Sequence, residues 1–217
     1  MLKVVSILAL TWFVVAEVPS DEERKQIVEC HTRLREEVQP TASNMQLMSY
    51  SSEMEKLTDE FIASCPGTFP DADRNPQYKD VGYILSYTEA DKPQFPVEVC
   101  KLGEVEYDYD KNTCSGDCDQ YKQRVWATTN QFGCAKKICP KSSDPAKTFT
   151  MFACLYKPSS TTLVEKPYEK GSSCSKCPAG YGCHRNQCVD PTWTTSVSSL
   201  LLPMNILLFA VSFVHCF

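Results

Sequence analysis

Two uninterrupted apolar runs bracket the chain, and between them hydrophobic positions recur first at helical and then at strand-like spacing. The first run, Val4 to Val15, follows the single cation Lys3 and closes on Val14-Val15-Ala16. A short apolar stretch behind a positive start predicts a secretory signal peptide over 1–16, cut after Ala16, in preference to a buried first helix or a membrane anchor. Downstream, Ser20 and Glu23 stand three apart as in a capping box, and Ile27, His31, Leu34 and Val38 follow on one helical face until Pro40. Ser52 and Glu55 repeat the device ahead of Met54, Leu57, Phe61 and Cys65, and Pro66-Gly67 stops that second helix. Residues 66–95 read as turn-rich, a third helix is expected near Pro96 to Val105, and Tyr107-Asp108-Tyr109-Asp110 with Asn112 reads as a loop. Val125 to Thr129, Gly133 to Cys139 and Thr148 to Tyr156 read as three short strands, broken by Asn130 and by Ser142 to Pro145. Helices followed by strands imply an antiparallel sheet covered by helices.

Composition changes this picture at two places. Past Lys166-Pro167, Cys174, Cys177, Cys183 and Cys188 crowd a Gly/Ser/Pro-rich segment too short for a core of its own, so bridges must hold it. The 217 residues contain 13 cysteines that do not repeat as C-x-x-C pairs with paired histidines, as a zinc ribbon would, and export makes disulfides their expected state. The second apolar run, Leu200 to Phe217, is reached through a small polar spacer from Thr192 to Ser199, and no Lys or Arg follows Arg185. A spanning helix normally carries a cytoplasmic cationic flank. The spacer and terminal tail fit a glycosylphosphatidylinositol (GPI) attachment signal, with Ser196 and Ser198 as candidate attachment residues; a plain membrane anchor, or a tail with neither role, remains an alternative. The formal charge of -5 leaves no basic patch for a phosphate backbone, so nucleic acid is not an expected partner. No N-x-[ST] acceptor is present, so N-glycosylation is not expected.

Several stretches resemble one family. His31-Thr32-x-Leu34-Arg35, Val38-x-Pro40 and Ala42-Ser43-Asn44-Met45 resemble the first helix and following turn of the CAP superfamily of cysteine-rich secretory, antigen-five and pathogenesis-related proteins. Cys118-Asp119-Gln120-Tyr121-Lys122-Gln123-Arg124-Val125-Trp126-Ala127-Thr128-Thr129 is similar to its C-G-H-Y-T-Q-x-V-W-x-x-T signature. Phe132-Gly133-Cys134 and Phe152 to Pro158 resemble its core strand and second signature, and Lys166 to Gly171 with Cys174 to Pro178 resembles the hinge of its helminth venom-allergen-like members. The resemblance implies an α/β fold, a three-layer α-β-α sandwich with a central antiparallel sheet and a small disulfide-rich C-terminal hinge. It divides the chain into signal peptide (1–16), CAP domain (17–168), hinge-like segment (169–189) and spacer with tail (190–217).

The family's cavity often holds two histidines and two acids that can bind zinc, and here the match fails residue by residue. Gln120 stands for the signature His, Tyr83 for the Glu of G-E-N, the 66–81 loop has no His, and Glu104 is at best a partial survivor. The residues alone point the same way. His215 lies in the tail, His184 in the hinge, and His31 on an inward helical face where a hydrogen-bonded core imidazole is favoured over a ligand. Zinc wants several imidazoles or thiolates converging at about 2.0–2.3 Å, and a Ser-His-Asp triad would have to recruit one of the same histidines. No enzyme activity, metal or cofactor is therefore expected.

What remains is a binding role, with three readings. One is a secreted or cell-surface module that takes lipids or sterols or acts on host proteins; Tyr107 and Tyr109 match the family's lipid-associated loop, while Cys114 replaces its third aromatic. The second is a protein-interaction module without a lipid ligand. The third is a weak metal-dependent hydrolase. By analogy with the family, Cys65 pairs with Cys139, Cys134 with Cys154, Cys114 with Cys118, Cys174 with Cys183 and Cys177 with Cys188. Cys30 and Cys100 stand where the family has large apolar core residues, and are expected to pair with each other; Cys216 is left in the tail.

Overall fold

The computed structural model describes residues 16–101, 105–159 and 162–192. Residues 1–15, Glu104, and the tail with Ser196, Ser198, His215 and Cys216 lie outside them, and so do the expectations placed there. Among the described residues no helix is long and apolar enough to cross a membrane.

The first helix, α1 (Asp21–Glu36), starts on the capping box: Ser20 accepts from the Glu23 amide and the Glu23 carboxylate accepts from the Ser20 amide. A two-residue strand β1 (Ser49–Tyr50) precedes α2 (Ser52–Ile62). The cap of α2 is Ser51 rather than Ser52, and this frees Glu55 to accept two bonds from Arg24 of α1, at 2.8 and 2.9 Å. The stretch expected to be turn-rich contains a seven-residue strand, β2 (Gly82–Thr88). Then come α3 (Phe95–Lys101), the short pair β3 (Tyr107–Asp108) and β4 (Thr113–Cys114), and α4 (Cys118–Arg124). Two long strands, β5 (Gln131–Lys141) and β6 (Asp144–Lys157), and a small hairpin, β7 (Gly182–His184) with β8 (Gln187–Val189), complete the chain.

The main sheet has the order β1-β5-β6-β2. β2, β5 and β6 are antiparallel, but β1 runs parallel to β5, so the sheet is mixed. The chain enters β1 from a loop tied down at Gln46, which delivers it alongside β5 in the same direction. Strand side chains alternate between faces. One face presents Ile84, Phe132, Phe152 and Tyr156 to Ile27 of α1 and to Phe95 and Val99 of α3; the other presents Ala135, Ala153 and Leu155 to Met54, Phe61 and Ile62 of α2. Helices on both faces make three layers. Each fully buried Ile or Phe side chain contributes about 1.5–3 kcal/mol. Close packing of α2 depends on Gly133, where an added Cβ would lie 2.1 Å from the Glu55 nitrogen.

Val125 to Thr129 is not a strand, in spite of its apolar and β-branched content. Its carbonyls are called elsewhere. The Arg35 side chain, 1% exposed, donates to the carbonyls of Arg124, Trp126, Ala127 and Thr129 at 2.9–3.3 Å, and twice to that of Gln46 at 2.7 and 3.2 Å. Convergence on one guanidinium bends the segment into turns. Burial pulls the Arg35 pKa down to about 9, which still leaves a cation at neutral pH.

Among the described residues there are six disulfides: Cys30–Cys100, Cys65–Cys139, Cys114–Cys118, Cys134–Cys154, Cys174–Cys183 and Cys177–Cys188. The first joins α1 to α3 with a Cα separation of 5.9 Å, inside the ordinary range for a bridge. The hinge hairpin is fastened to the body. Cys188 donates its amide to the Met45 carbonyl and accepts from the Leu47 amide, buried Gln187 donates to the Thr32 carbonyl, and Arg185 bonds Glu29 and Glu36 of α1.

Arg35→Met is expected to lower the unfolding free energy by roughly 3–5 kcal/mol, because carbonyls that stay buried without a donor cost about 1–3 kcal/mol each. Denaturant unfolding of the oxidised chain measures this, and a loss under about 1 kcal/mol would show that water takes over the carbonyls.

Candidate functional site

The cavity positions singled out in the sequence come from α4, β2 and the segment after α3. The Cys114–Cys118 bridge leads into α4, whose N-terminus is capped by Asp117 accepting from the amides of Asp119 and Gln120. Gln120 turns its amide NH2 to Asp117 Oδ2 at 3.2 Å, and its Oε1 is buried without a protein partner. On the same helix, Gln123 accepts from the Ser159 hydroxyl at 2.7 Å and sits directly over Gly82. A Cβ at Gly82 would come within 1.8 Å of Gln123 Oε1, so glycine is what lets α4 reach the sheet there.

Because Gly82 faces α4, its neighbour Tyr83 faces away. The Tyr83 ring lies on the α2 face of the sheet, stacked on Phe69 with centroids 4.4 Å apart. Tyr83 and Gln120 are therefore not brought together, and Glu104 lies outside the described residues. Among the described residues no three His, Cys, Asp or Glu side chains gather at a point that could hold a metal ion. His31 is committed to the core: Nδ1 lies 2.8 Å from the Ile27 carbonyl, Nε2 lies 2.8 Å from the Tyr156 hydroxyl, and the ring stacks on Phe132. Burial, then the nearby Arg124 and Arg35 cations, hold its pKa well below the usual imidazole value, so it stays neutral. His184 belongs to the β7 strand of the hinge hairpin.

Tyr107 and Tyr109 join Tyr121 and Tyr168 in one aromatic group. Tyr107 donates to Asn112 Oδ1 at 2.8 Å, and Tyr109 donates to the Tyr168 carbonyl at 3.0 Å while accepting from the Lys170 amide. Burial and the neighbouring phenols push the Tyr107 pKa up to about 12, so the ring stays neutral. The rings are half-buried and their hydroxyls are used, and so they tie the β3–β4 turn to the start of the hinge. Beside them runs an open groove of about 530 Å3, between the Trp126–Thr128 turn and residues 165–170. Its rim alternates charges, Glu165, Lys166, Glu169 and Lys170, and the Lys166 ammonium lies 4.4 Å from the Tyr109 ring centroid. The sequence does not announce this groove. Trp126 and Lys166 both belong to recognisable motifs, but only the fold sets one beside the other.

Comparison with known proteins places these features in a family. The model of the "Cysteine-rich secretory protein family" (CAP) matches residues 28–156. Human cysteine-rich secretory protein LCCL domain-containing 2 is 32% identical over 184 residues, covering 77% of this chain and 36% of the relative. Peptidase inhibitor 15 of Xenopus laevis is 32% identical over 190 residues, covering 78% and 71%. The chain thus spans about a third of the length of the first of these relatives. Among solved structures, NaASP2 with Zn2+ superposes with a TM-score of 0.59 at 22% identity, covering 78% of this chain and 96% of that one. Hookworm platelet inhibitor superposes with a TM-score of 0.58 at 19% identity, covering 80% and 93%. At those identities the structures speak to the fold alone.

A pH dependence follows from His31. The folded state refuses a proton that the unfolded chain accepts, so unfolding is favoured as pH falls below about 6.5. The unfolding free energy should fall by up to about 1.4 kcal/mol per pH unit in that range from this residue. A pH series on His31→Asn should show a slope shallower by that amount, and identical slopes would exclude His31 as the source.

Proposed function

The chain belongs to the cysteine-rich secretory protein (CAP) family, and from that premise we propose that it is a non-enzymatic extracellular module that works by binding a protein partner. The observation that carries this reading is the groove between the Trp126 turn and the hinge. It offers an indole and a phenol between a rim of mixed charges, and interface centres are enriched in aromatic anchors surrounded by polar groups. Its floor is fixed: Trp126 and Ala127 are held by Arg35 through their carbonyls, and Ala127 also donates its amide to the Pro167 carbonyl. A surface with little freedom left to lose binds at a smaller entropic cost.

A catalytic reading finds little support in the same residues. Glutamine at 120 supplies neither a metal-ligating imidazole nor a general base, Tyr83 is turned to the other face of the sheet, and both ring nitrogens of His31 are engaged. For a lipid tail, Tyr107 and Tyr109 would have to release packed rings and satisfied hydroxyls. Attachment to the cell surface through a GPI group on the 190–217 segment belongs to this proposal, with Ser196 or Ser198 as the acceptor.

The test compares the secreted chain with Lys166→Glu in three assays. The expected result is saturable capture of a protein from serum or from intact cell surfaces, weakened about tenfold or more by Lys166→Glu at unchanged melting temperature. Saturable displacement of a fluorescent sterol without protein capture would overturn the proposal in favour of a lipid carrier. Site-specific zinc binding below millimolar, abolished by Glu104→Ala and accompanied by hydrolysis in a substrate panel, would overturn it in favour of a metal-dependent hydrolase.

A further inference from the structure

The main sheet ends in two edges that are finished differently. At β1 the edge is closed by side chains: Arg24 of α1 reaches Glu55 of α2, and the Tyr50 hydroxyl bonds both Glu55, at 2.6 Å, and the Cys134 carbonyl. At β2 the described residues supply no such closure. The strand pairs with β6 on one side only, and α4 covers just its Gly82 end. From Ile84 to Thr88 no backbone group bonds outward to another element of the described residues.

An open edge is ordinarily blunted by a lysine, a proline, a bulge or a short length. β2 has none of these. Gly82-Tyr83-Ile84-Leu85-Ser86-Tyr87-Thr88 carries no charge and no proline, and its register with β6 is unbroken over seven residues. Its outer aromatics are half-exposed as well: Tyr83 is 42% exposed and Tyr87 is 55% exposed, with Phe69 stacked on the former and Phe149 edge-on to the latter.

We propose that β2 is a self-association edge, on which two copies of the chain pair antiparallel about a twofold axis at Leu85. Two four-stranded sheets then become one of eight. The pattern of the strand selects a second copy as its occupant. Antiparallel pairing centred on Leu85 sets Tyr83 of each copy opposite Tyr87 of the other on the same face, the cross-strand aromatic arrangement that stabilises sheets. The flanks carry both signs: Lys79 and Asp80 precede the strand, and Glu89, Asp91 and Lys92 follow it, so antiparallel pairing about Leu85 sets Lys79 of each copy toward Asp91 of the other. Of these, Glu89 is already taken by Lys141 at 2.6 Å, and Asp80 falls opposite Ala90 in this register. The interface is isologous and closes on itself, so it yields a dimer and not a filament. It lies on the far edge of the sheet from β1 and is independent of the groove at Trp126.

Sedimentation equilibrium and amide exchange on the full oxidised chain, over about a hundredfold range of concentration, test this. The expected result is a monomer–dimer equilibrium in which exchange of the 82–88 peptide slows several-fold as the dimer fills, while other exposed peptides do not change. Tyr87→Lys, at a half-exposed position, should return the chain to monomer with an unchanged melting temperature. Should that variant fail to fold, the exchange measurement on the native chain decides alone. A monomer at every concentration overturns the proposal. So does a dimer with unchanged exchange at β2, as association through the 190–217 tail would give. Protection of β2 only after serum proteins are added assigns the edge to a foreign strand, and overturns it too.

Discussion

The Arg35 guanidinium is the constraint around which this fold is arranged. Removing a cation from water costs several kcal/mol, and among the described residues none of its hydrogen bonds goes to a carboxylate. The charge is met instead by five backbone carbonyls, each a dipole that the chain must aim inward. Three segments are thereby fixed together: α1, which carries the arginine; the loop at Gln46, which leads into β1; and the turn from Arg124 to Thr129, which leads into β5. The direction of β1, the bend after α4 and the position of Trp126 all follow from where those carbonyls must point.

Seen this way, a single helical face of α1 separates structural from functional chemistry. His31 lies one turn before Arg35 and gives its imidazole to the core, bonded to Tyr156 and stacked on Phe132. The cavity positions singled out in the sequence serve packing in the same manner. Gly82 makes room for α4, Tyr83 joins Phe69 and Phe61 over α2, and Gln120 is drawn to the capping Asp117. Polar capacity in the described body has largely been turned to holding segments in place, and what it offers to other molecules is surface: a groove with an indole floor and an unfinished sheet edge.

Local signals were legible in the sequence and convergent ones were not. The capping box at Ser20 and the apolar spacing of α1 and α2 are short-range patterns, and the helices form where those patterns lie. The long strands β5 and β6 were also visible as apolar runs. β2 was hidden because Gly82 and the turn residues before it lower the strand signal, although Ile84 is fully in the core. The Val125–Thr129 run was misleading for the opposite reason: its residues favour strand locally, but a distant side chain claims its carbonyls. α4 was not anticipated, since a seven-residue helix leaves too few turns for periodicity to register. The groove at Trp126 joins residues far apart in the chain, and spacing alone carries no sign of it.

The fastening of the hinge hairpin has a mechanical consequence. Whatever follows Asp190 pulls on β8, and Cys188 is bonded to Met45 and Leu47 by backbone hydrogen bonds and to Cys177 by a disulfide. Tension there cannot peel the hairpin open, because the Cys174–Cys183 and Cys177–Cys188 bridges cross-link it to the segment just before it. The pull passes instead to the 41–47 loop and, through Gln46, to the buried arginine. A tether at this end would hold the domain by its most deeply braced point, so that strain on the attachment is resisted by the centre of the molecule.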